Sequence, residues 1–188
     1  MFKKTTTIIV LAALCLNFSL SAQQKAKTKY PQIGEKIPDI HLENILNHTS
    51  TTAKLSDFKN KAIILDYWAT WCGSCIKAFP KMDSLQQQFK KNLQIILINN
   101  SKRDNTSKVE AFLAKFKIEH PNFSLPITMS NEHTQTLFHI GVLPHYIWIG
   151  HDRKIKAITS ADEVKLSNIE RLVAGLPLNL PIKEGYHE

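Results

Sequence analysis

Cysteine is scarce in this chain, with three residues in 188, and that scarcity limits what the two close ones can do. Cys72 and Cys75 are separated by Gly73 and Ser74, while Cys15 lies far upstream. A structural zinc needs two further ligands at matching spacing. Neither a second cysteine pair nor a tightly spaced pair among the eight histidines supplies them. Covalent haem attachment needs histidine directly after the second cysteine, and Ile76 stands there. The chain also lacks an apolar run of about 20 residues, the length that spans a bilayer. The run from Ile8 to Leu16 is shorter and gives way to Asn17 and Ser19. No stripe of interleaved basic and aromatic residues and no nucleic-acid motif accompanies the formal charge of +8. Lysines such as Lys59, Lys90, Lys115 and Lys154 are scattered, as on a solvated surface, so nucleic acid is not an expected partner. There is no internal repeat and no low-complexity block. What is left is one globular domain, with 43% hydrophobic residues to fill its core.

For the cysteine pair two uses remain, a structural staple or an exchangeable disulfide. In the chain-entropy estimate a four-residue ring gains about 2 kcal/mol, against about 3 for fifteen residues, so this loop makes a poor staple. If the pair opens a helix, residues i and i+3 lie about 5 to 6 Å apart at Cβ, and a modest adjustment makes or breaks the bond without unfolding anything. The apolar run Ala62 to Trp68 before the pair and the periodic pattern after it favour that redox reading.

The N-terminus carries a signal pattern: Lys3 and Lys4, the apolar run, then Leu20-Ser21-Ala22 before Gln23. Residues 1–22 are therefore expected to be a signal peptide, with an uncleaved anchor as the alternative and no integral membrane segment once it is removed. Cleavage removes Cys15 and two lysines but no acid, taking the formal charge from +8 to +6. An exported dithiol meets an oxidising compartment and stays reduced only if electrons are resupplied. Residues 23–30 are polar and lysine-rich, a flexible linker.

The ordered part is expected over 31–175. Asp39 to Leu42 and Thr49 to Leu55 suggest an N-terminal β-hairpin. Ala62 to Trp68 has the texture of a strand covered on both faces, and Asp66 is conspicuous inside it. From Ser74 or Cys75 to Lys91, Ile76, Phe79, Met82, Leu85 and Phe89 recur at helical steps, with lysines and glutamines opposite; Pro80 removes one donor and should kink the helix. Leu93 to Asn99 is a second buried strand and Asp104 to Ile118 a second helix, which implies a parallel pair. Ser124 to Thr128 is a short extension and Glu132 to Ile140 a short helix. His145 to Ile149 and Lys154 to Thr159 form a hairpin, and Ala161 to Gly175 closes the domain as a helix. Residues 176–188 show no period and are read as a C-terminal tail. A parallel pair joined to an antiparallel pair makes a mixed α/β sheet.

These residues resemble the thioredoxin superfamily, and within it the exported TlpA/ResA-like thiol-disulfide oxidoreductases of the bacterial envelope. The resemblance rests on Trp68-Ala69-Thr70-Trp71-Cys72-Gly73-Ser74-Cys75, Phe79-Pro80, Gly141-Val142-Leu143-Pro144 and Leu55-Ser56-Asp57-Phe58. It implies a thioredoxin-like sheet flanked by helices, with Cys72 as exposed nucleophile and Cys75 as resolving thiol. The helix N-terminus supports that order, because its free N–H groups favour a thiolate on the first cysteine. Asp66 matches the buried acid of thioredoxin, expected to exchange protons with Cys75. The glutamate that many envelope relatives carry three residues after the second cysteine is replaced by Ala78.

Trp71 is read as a lid over the sulfur in preference to a core aromatic. Pro144 matches the family's cis-proline, a form that costs only about 0.5 to 1 kcal/mol before proline. Leu143 would then offer its backbone to an extended substrate peptide. His145, where threonine is more usual, either tunes the thiols or merely begins a strand. Gly73-Ser74 departs from Gly-Pro, and the additional donors predict a weaker reductant than thioredoxin.

The resulting expectation is a periplasmic disulfide reductase that needs no cofactor or metal, acts on disulfide-bearing client proteins and is re-reduced by a membrane electron donor. The alternatives are a disulfide oxidase or isomerase, or a copper metallochaperone using Cys72, Cys75 and His145. A peroxidase of the related peroxiredoxin type is disfavoured, because Ala69 and Leu65 stand where that chemistry needs Thr and Pro.

Overall fold

The computed structural model of the protein describes residues 30–186; the signal segment, Cys15 and the linker up to residue 29 lie outside them. His41–Leu42 (β1) and Ala53–Lys54 (β2) pair antiparallel, which is the expected hairpin. A single 3-10 turn, Leu55–Asp57, then leads into Ala62–Trp68 (β3), whose seven residues are all buried. Gly73–Gln88 (α1) follows, then Leu93–Asn99 (β4), Thr106–Glu119 (α2), Ile127–Met129 (β5), Glu132–Leu137 (α3), His145–Ile149 (β6), Ile155–Thr159 (β7) and Leu166–Val173 (α4).

The strands form one mixed sheet in the order β5-β4-β3-β6-β7. β3 is central, parallel to β4 and antiparallel to β6. Its alternation divides the core. Ala62, Ile64 and Trp68 face a cluster built with α1, α2 and α4, whereas Ile63, Leu65 and Tyr67 face Ile37, Ile40, Leu42, Phe138 and Tyr186. Both faces are covered, which is why β3 reads as an almost continuous apolar run.

α1 buries Cys75, Phe79, Met82 and Leu85 at helical spacing. Phe79 sits among Trp68, Phe112, Phe116 and Phe123, with ring centroids 5.0 to 6.2 Å away. Truncating such a side chain to alanine costs about 3 to 5 kcal/mol. Pro80 lies on the solvent side, and the helix continues through it. One glutamine departs from the expected polar face: Gln86 is buried, its Oε1 accepting the Ile95 N–H at 2.6 Å and its Nε2 donating to the Leu93 carbonyl at 3.0 Å.

The expected helix over 104–118 begins later, because Asn105 is its cap and accepts the Lys108 N–H at 2.9 Å. The closing helix is likewise shorter than expected, a 3-10 turn at Ala161–Glu163 preceding α4. The described part of 176–188 packs on the domain. Leu178 and Leu180 lie against the core, the Lys183 N–H donates to the Ile158 carbonyl at 2.9 Å, and Tyr186 is buried.

Candidate active site

The central strand ends at Trp68, and the chain turns at once into α1. The Cys72 N–H donates to the Ala69 carbonyl at 3.0 Å, and the Ile76 N–H closes the first helical bond onto the Cys72 carbonyl at 3.1 Å. Cys72 is the N-cap, and its Sγ takes the place usually held by a side-chain oxygen, accepting the Cys75 N–H at 3.3 Å. Cys72 and Cys75 are joined as a disulfide, with Cα atoms 5.3 Å apart. The Ser74 hydroxyl lies 3.6 Å from Cys72 Sγ. A backbone donor, a hydroxyl and the helix N-terminus thus converge on one sulfur, the arrangement that stabilises a thiolate there once the disulfide is reduced. Cys72, expected to be exposed, is buried in this oxidised form, at 6% against 1% for Cys75.

Trp71 is 57% exposed, so it is not a core aromatic; its Nε1–H donates to Ser101 Oγ at 2.9 Å. The neighbouring Thr70 is held by Asp104. Its N–H donates to Oδ2 at 2.8 Å and its hydroxyl to Oδ1 at 2.6 Å, while Asn99 Nδ2 also donates to Oδ2 at 2.8 Å. Burial alone would raise the Asp104 carboxyl, but the hydrogen bonds from Thr70, Asn99 and Lys108 outweigh it and hold the group below its usual range. Sequence reasoning placed Asp104 at a helix start and missed this clamp. The one signal was Asn105, an equally good cap one position later, which leaves Asp104 free.

Asp66 is fully buried in β3, on the same sheet face as Trp68, where Cys75 also packs. Neither carboxyl oxygen has a hydrogen-bond partner among the described residues. Burial therefore holds the group well above the usual carboxylate range. Its register partner on β6 is Tyr146, equally buried and also without a partner for its hydroxyl among the described residues. Burial first, and then the Asp66 charge, raise that phenol.

The Tyr67–His145 register brings residues 141–144 to the end of the sheet from which Cys72 departs. The Leu143–Pro144 bond is cis, and Leu143 packs against the core that contains both cysteines. His145 is directed elsewhere. It is the partner of Tyr67 on the far face, with its ring 6.3 Å from Tyr67 and 5.9 Å from Tyr186. Burial, then Lys183 and His139, push its imidazole down to about 3, so it is neutral near pH 7. The expected site therefore divides. Cys72, Gly73, Ser74, Cys75, Asp66, Leu143 and Pro144 gather at one end and face, Trp71 borders them, and His145 stands behind the sheet. A copper set of Cys72, Cys75 and His145 is not assembled.

A five-stranded thioredoxin-type sheet whose central strand delivers a cysteine disulfide to a helix N-terminus defines a class, the thioredoxin-fold thiol-disulfide oxidoreductases. The Redoxin family matches residues 32–173, and the chain belongs to that family. Within it the chain is TlpA/ResA-like. It is similar to the thiol-disulfide oxidoreductase ResA of Oceanobacillus iheyensis, 28% identical over 160 residues, which cover 84% of this chain and 79% of that protein. A thioredoxin-like protein of Bacillus subtilis, YneN, is 31% identical over 91 residues, 48% of this chain and 52% of its own. Among solved structures, one from Chlorobium tepidum described as a thiol:disulfide interchange protein DsbE has 25% identity and a TM-score of 0.61. The match covers 76% of this chain and 98% of that one. The thioredoxin domain of a Bacteroides vulgatus thiol-disulfide oxidoreductase shares the fold at 20% identity and the same TM-score, covering 76% and 98%.

Proposed function

We propose that the chain works as an exported disulfide reductase of the bacterial envelope, with Cys72 attacking and Cys75 resolving. The observation that carries this reading is the sulfur of Cys72 serving as the N-cap of α1 while Cys75 lies one turn deeper and almost fully covered. The Cys72 thiolate attacks a client disulfide, whose S–S bond breaks as a mixed disulfide forms at Cys72 and one client thiolate leaves. Asp66 takes the proton from Cys75. The Cys75 thiolate then attacks the Cys72 sulfur, releasing the second client thiolate and closing the Cys72–Cys75 disulfide. Two electrons have passed to the client, and a membrane-bound dithiol donor restores them. The Leu143 N–H and C=O, without a hydrogen-bond partner among the described residues, support a client strand pairing with that backbone. The signal pattern of residues 1–22 supports export to the periplasm.

C72S is expected to abolish reduction of an insulin disulfide, and C75S to accumulate mixed disulfides at Cys72 in envelope extracts. A C75S protein that traps no client would overturn the reading. Direction is tested by equilibration with glutathione, where a potential near about −120 mV would instead make the protein an oxidant.

A further inference from the structure

After α4 the chain reverses at Gly175, whose φ of +69° lies in the left-handed region that favours glycine. The Gly175 and Leu176 N–H groups donate to the Leu172 and Arg171 carbonyls at 3.0 and 2.9 Å, and the Arg171 guanidinium holds the Pro177 carbonyl at 2.7 Å. The chain then reaches β7, where Lys183 is pinned by its backbone to Ile158 at 2.9 Å. Three residues later Tyr186 is buried beside His145, with its hydroxyl donating to the Pro31 carbonyl at 2.8 Å. Lys183 is thus held by its own backbone and by Tyr186 beyond it, and its side chain is half-buried. Its Nζ donates to the Val142 carbonyl at 2.6 Å and also to the Pro144 carbonyl.

Those carbonyls flank Leu143, whose own N–H and C=O make no hydrogen bond among the described residues. We propose that Lys183 is a positioning residue for client binding: by tying the carbonyls on either side of Leu143 to one ammonium, it presents the Leu143 backbone as a fixed edge for an extended client peptide. The inference rests on the client-strand reading above and adds the C-terminal segment to the site. Without the clamp the loop must be ordered at each encounter. If the competent arrangement is then populated about a tenth of the time, the apparent affinity for peptide falls about tenfold.

The test uses K183M and K183R with a short extended peptide bearing a mixed disulfide to a chromophoric thiol, and dithiobis(nitrobenzoate) as a small disulfide that needs no strand pairing. K183M is expected to raise KM for the peptide about tenfold with kcat within about twofold, while its rate with the small disulfide and its glutathione potential stay at wild-type values. K183R, which keeps the charge and the donors, is expected to recover most of the loss. Amide exchange at Leu143 in the C75S protein trapped with peptide provides a second readout, protected in the wild-type background and less so with K183M. If the Leu143 amide is protected but K183M changes neither that protection nor KM, Lys183 has no positioning role. Equal losses by K183M on peptide and small disulfide would likewise refute it. If the wild-type amide is not protected at all, the strand-pairing reading falls, and the proposal with it.

Discussion

The carboxyl of Asp66 and the phenol of Tyr146 are register partners on adjacent strands, both fully buried and both without a hydrogen-bond partner among the described residues. A fold that keeps an acid in such a place gives up stability for it, since an unsatisfied buried polar group costs about 1 to 3 kcal/mol.

Replacing Asp66 by Asn is therefore expected to change stability and activity in opposite directions. Burial raises the Asp66 carboxyl, so its folded form prefers the proton. Its contribution to stability is whole below the unfolded value of about 3.9 and is lost as pH rises through the raised folded value. Urea unfolding should find D66N more stable than wild type at neutral pH, because Asn cannot ionise in the buried site, with that pH dependence gone. Turnover should fall by about a hundredfold and lose its Asp66 limb. An unchanged pH profile would remove Asp66 from the proton path.

Ser74 should set the potential. Its hydroxyl, 3.6 Å from Cys72 Sγ in the disulfide, is placed to donate to the thiolate of the reduced form. Removing a hydrogen bond worth about 1 to 1.5 kcal/mol makes S74A more reducing by about 20 to 30 mV. Equilibration with glutathione measures it, and an unchanged potential would show that the backbone donors suffice.

His145 predicts acid sensitivity of the fold. Its imidazole is held below its ordinary value by burial, with Lys183 and His139 adding to it and Tyr67 and Tyr186 as ring neighbours. A depressed value means that stability is present above the unfolded pKa and lost as pH falls below it. The loss is about 1.4 kcal/mol for each pH unit below about 6.5. Denaturant midpoints measured from pH 7 to 4 should fall steeply for wild type and less for H145Q.

The Asp104 clamp can be released. D104A leaves the Thr70 N–H and hydroxyl without their acceptor, and hydrogen bonds to a charged group are worth about 1.5 to 3 kcal/mol. The loss should appear in urea unfolding and as faster amide exchange at Thr70. Wild type should lose part of that stability as pH falls through the lowered Asp104 value and the carboxylate protonates.

What the sequence made legible follows the reach of each interaction. The Ala62 to Trp68 and Leu93 to Asn99 strands, the apolar face of α1, the N-terminal hairpin and the cysteine pair are local patterns, and they stand where expected. The start of α1 was harder to place, because a sulfur does the capping and the usual Ser, Thr, Asp or Asn signal is missing. Asp104 was misread because its partner Thr70 lies 34 residues away. The direction of His145 depends on the β6 register with Tyr67, which alternation within β6 alone does not fix. The last segment, read as a tail, joins Tyr186 to Pro31 across 155 positions, and no periodicity carries that contact.

The sulfur at position 72 is asked to be two things at once, the acceptor that finishes a helix and the nucleophile that begins a reaction. An oxygen performs the first duty better and the second hardly at all. The C72S protein, chemically silent, would then carry the better-capped α1, so selection for the chemistry at this position runs against selection for the fold.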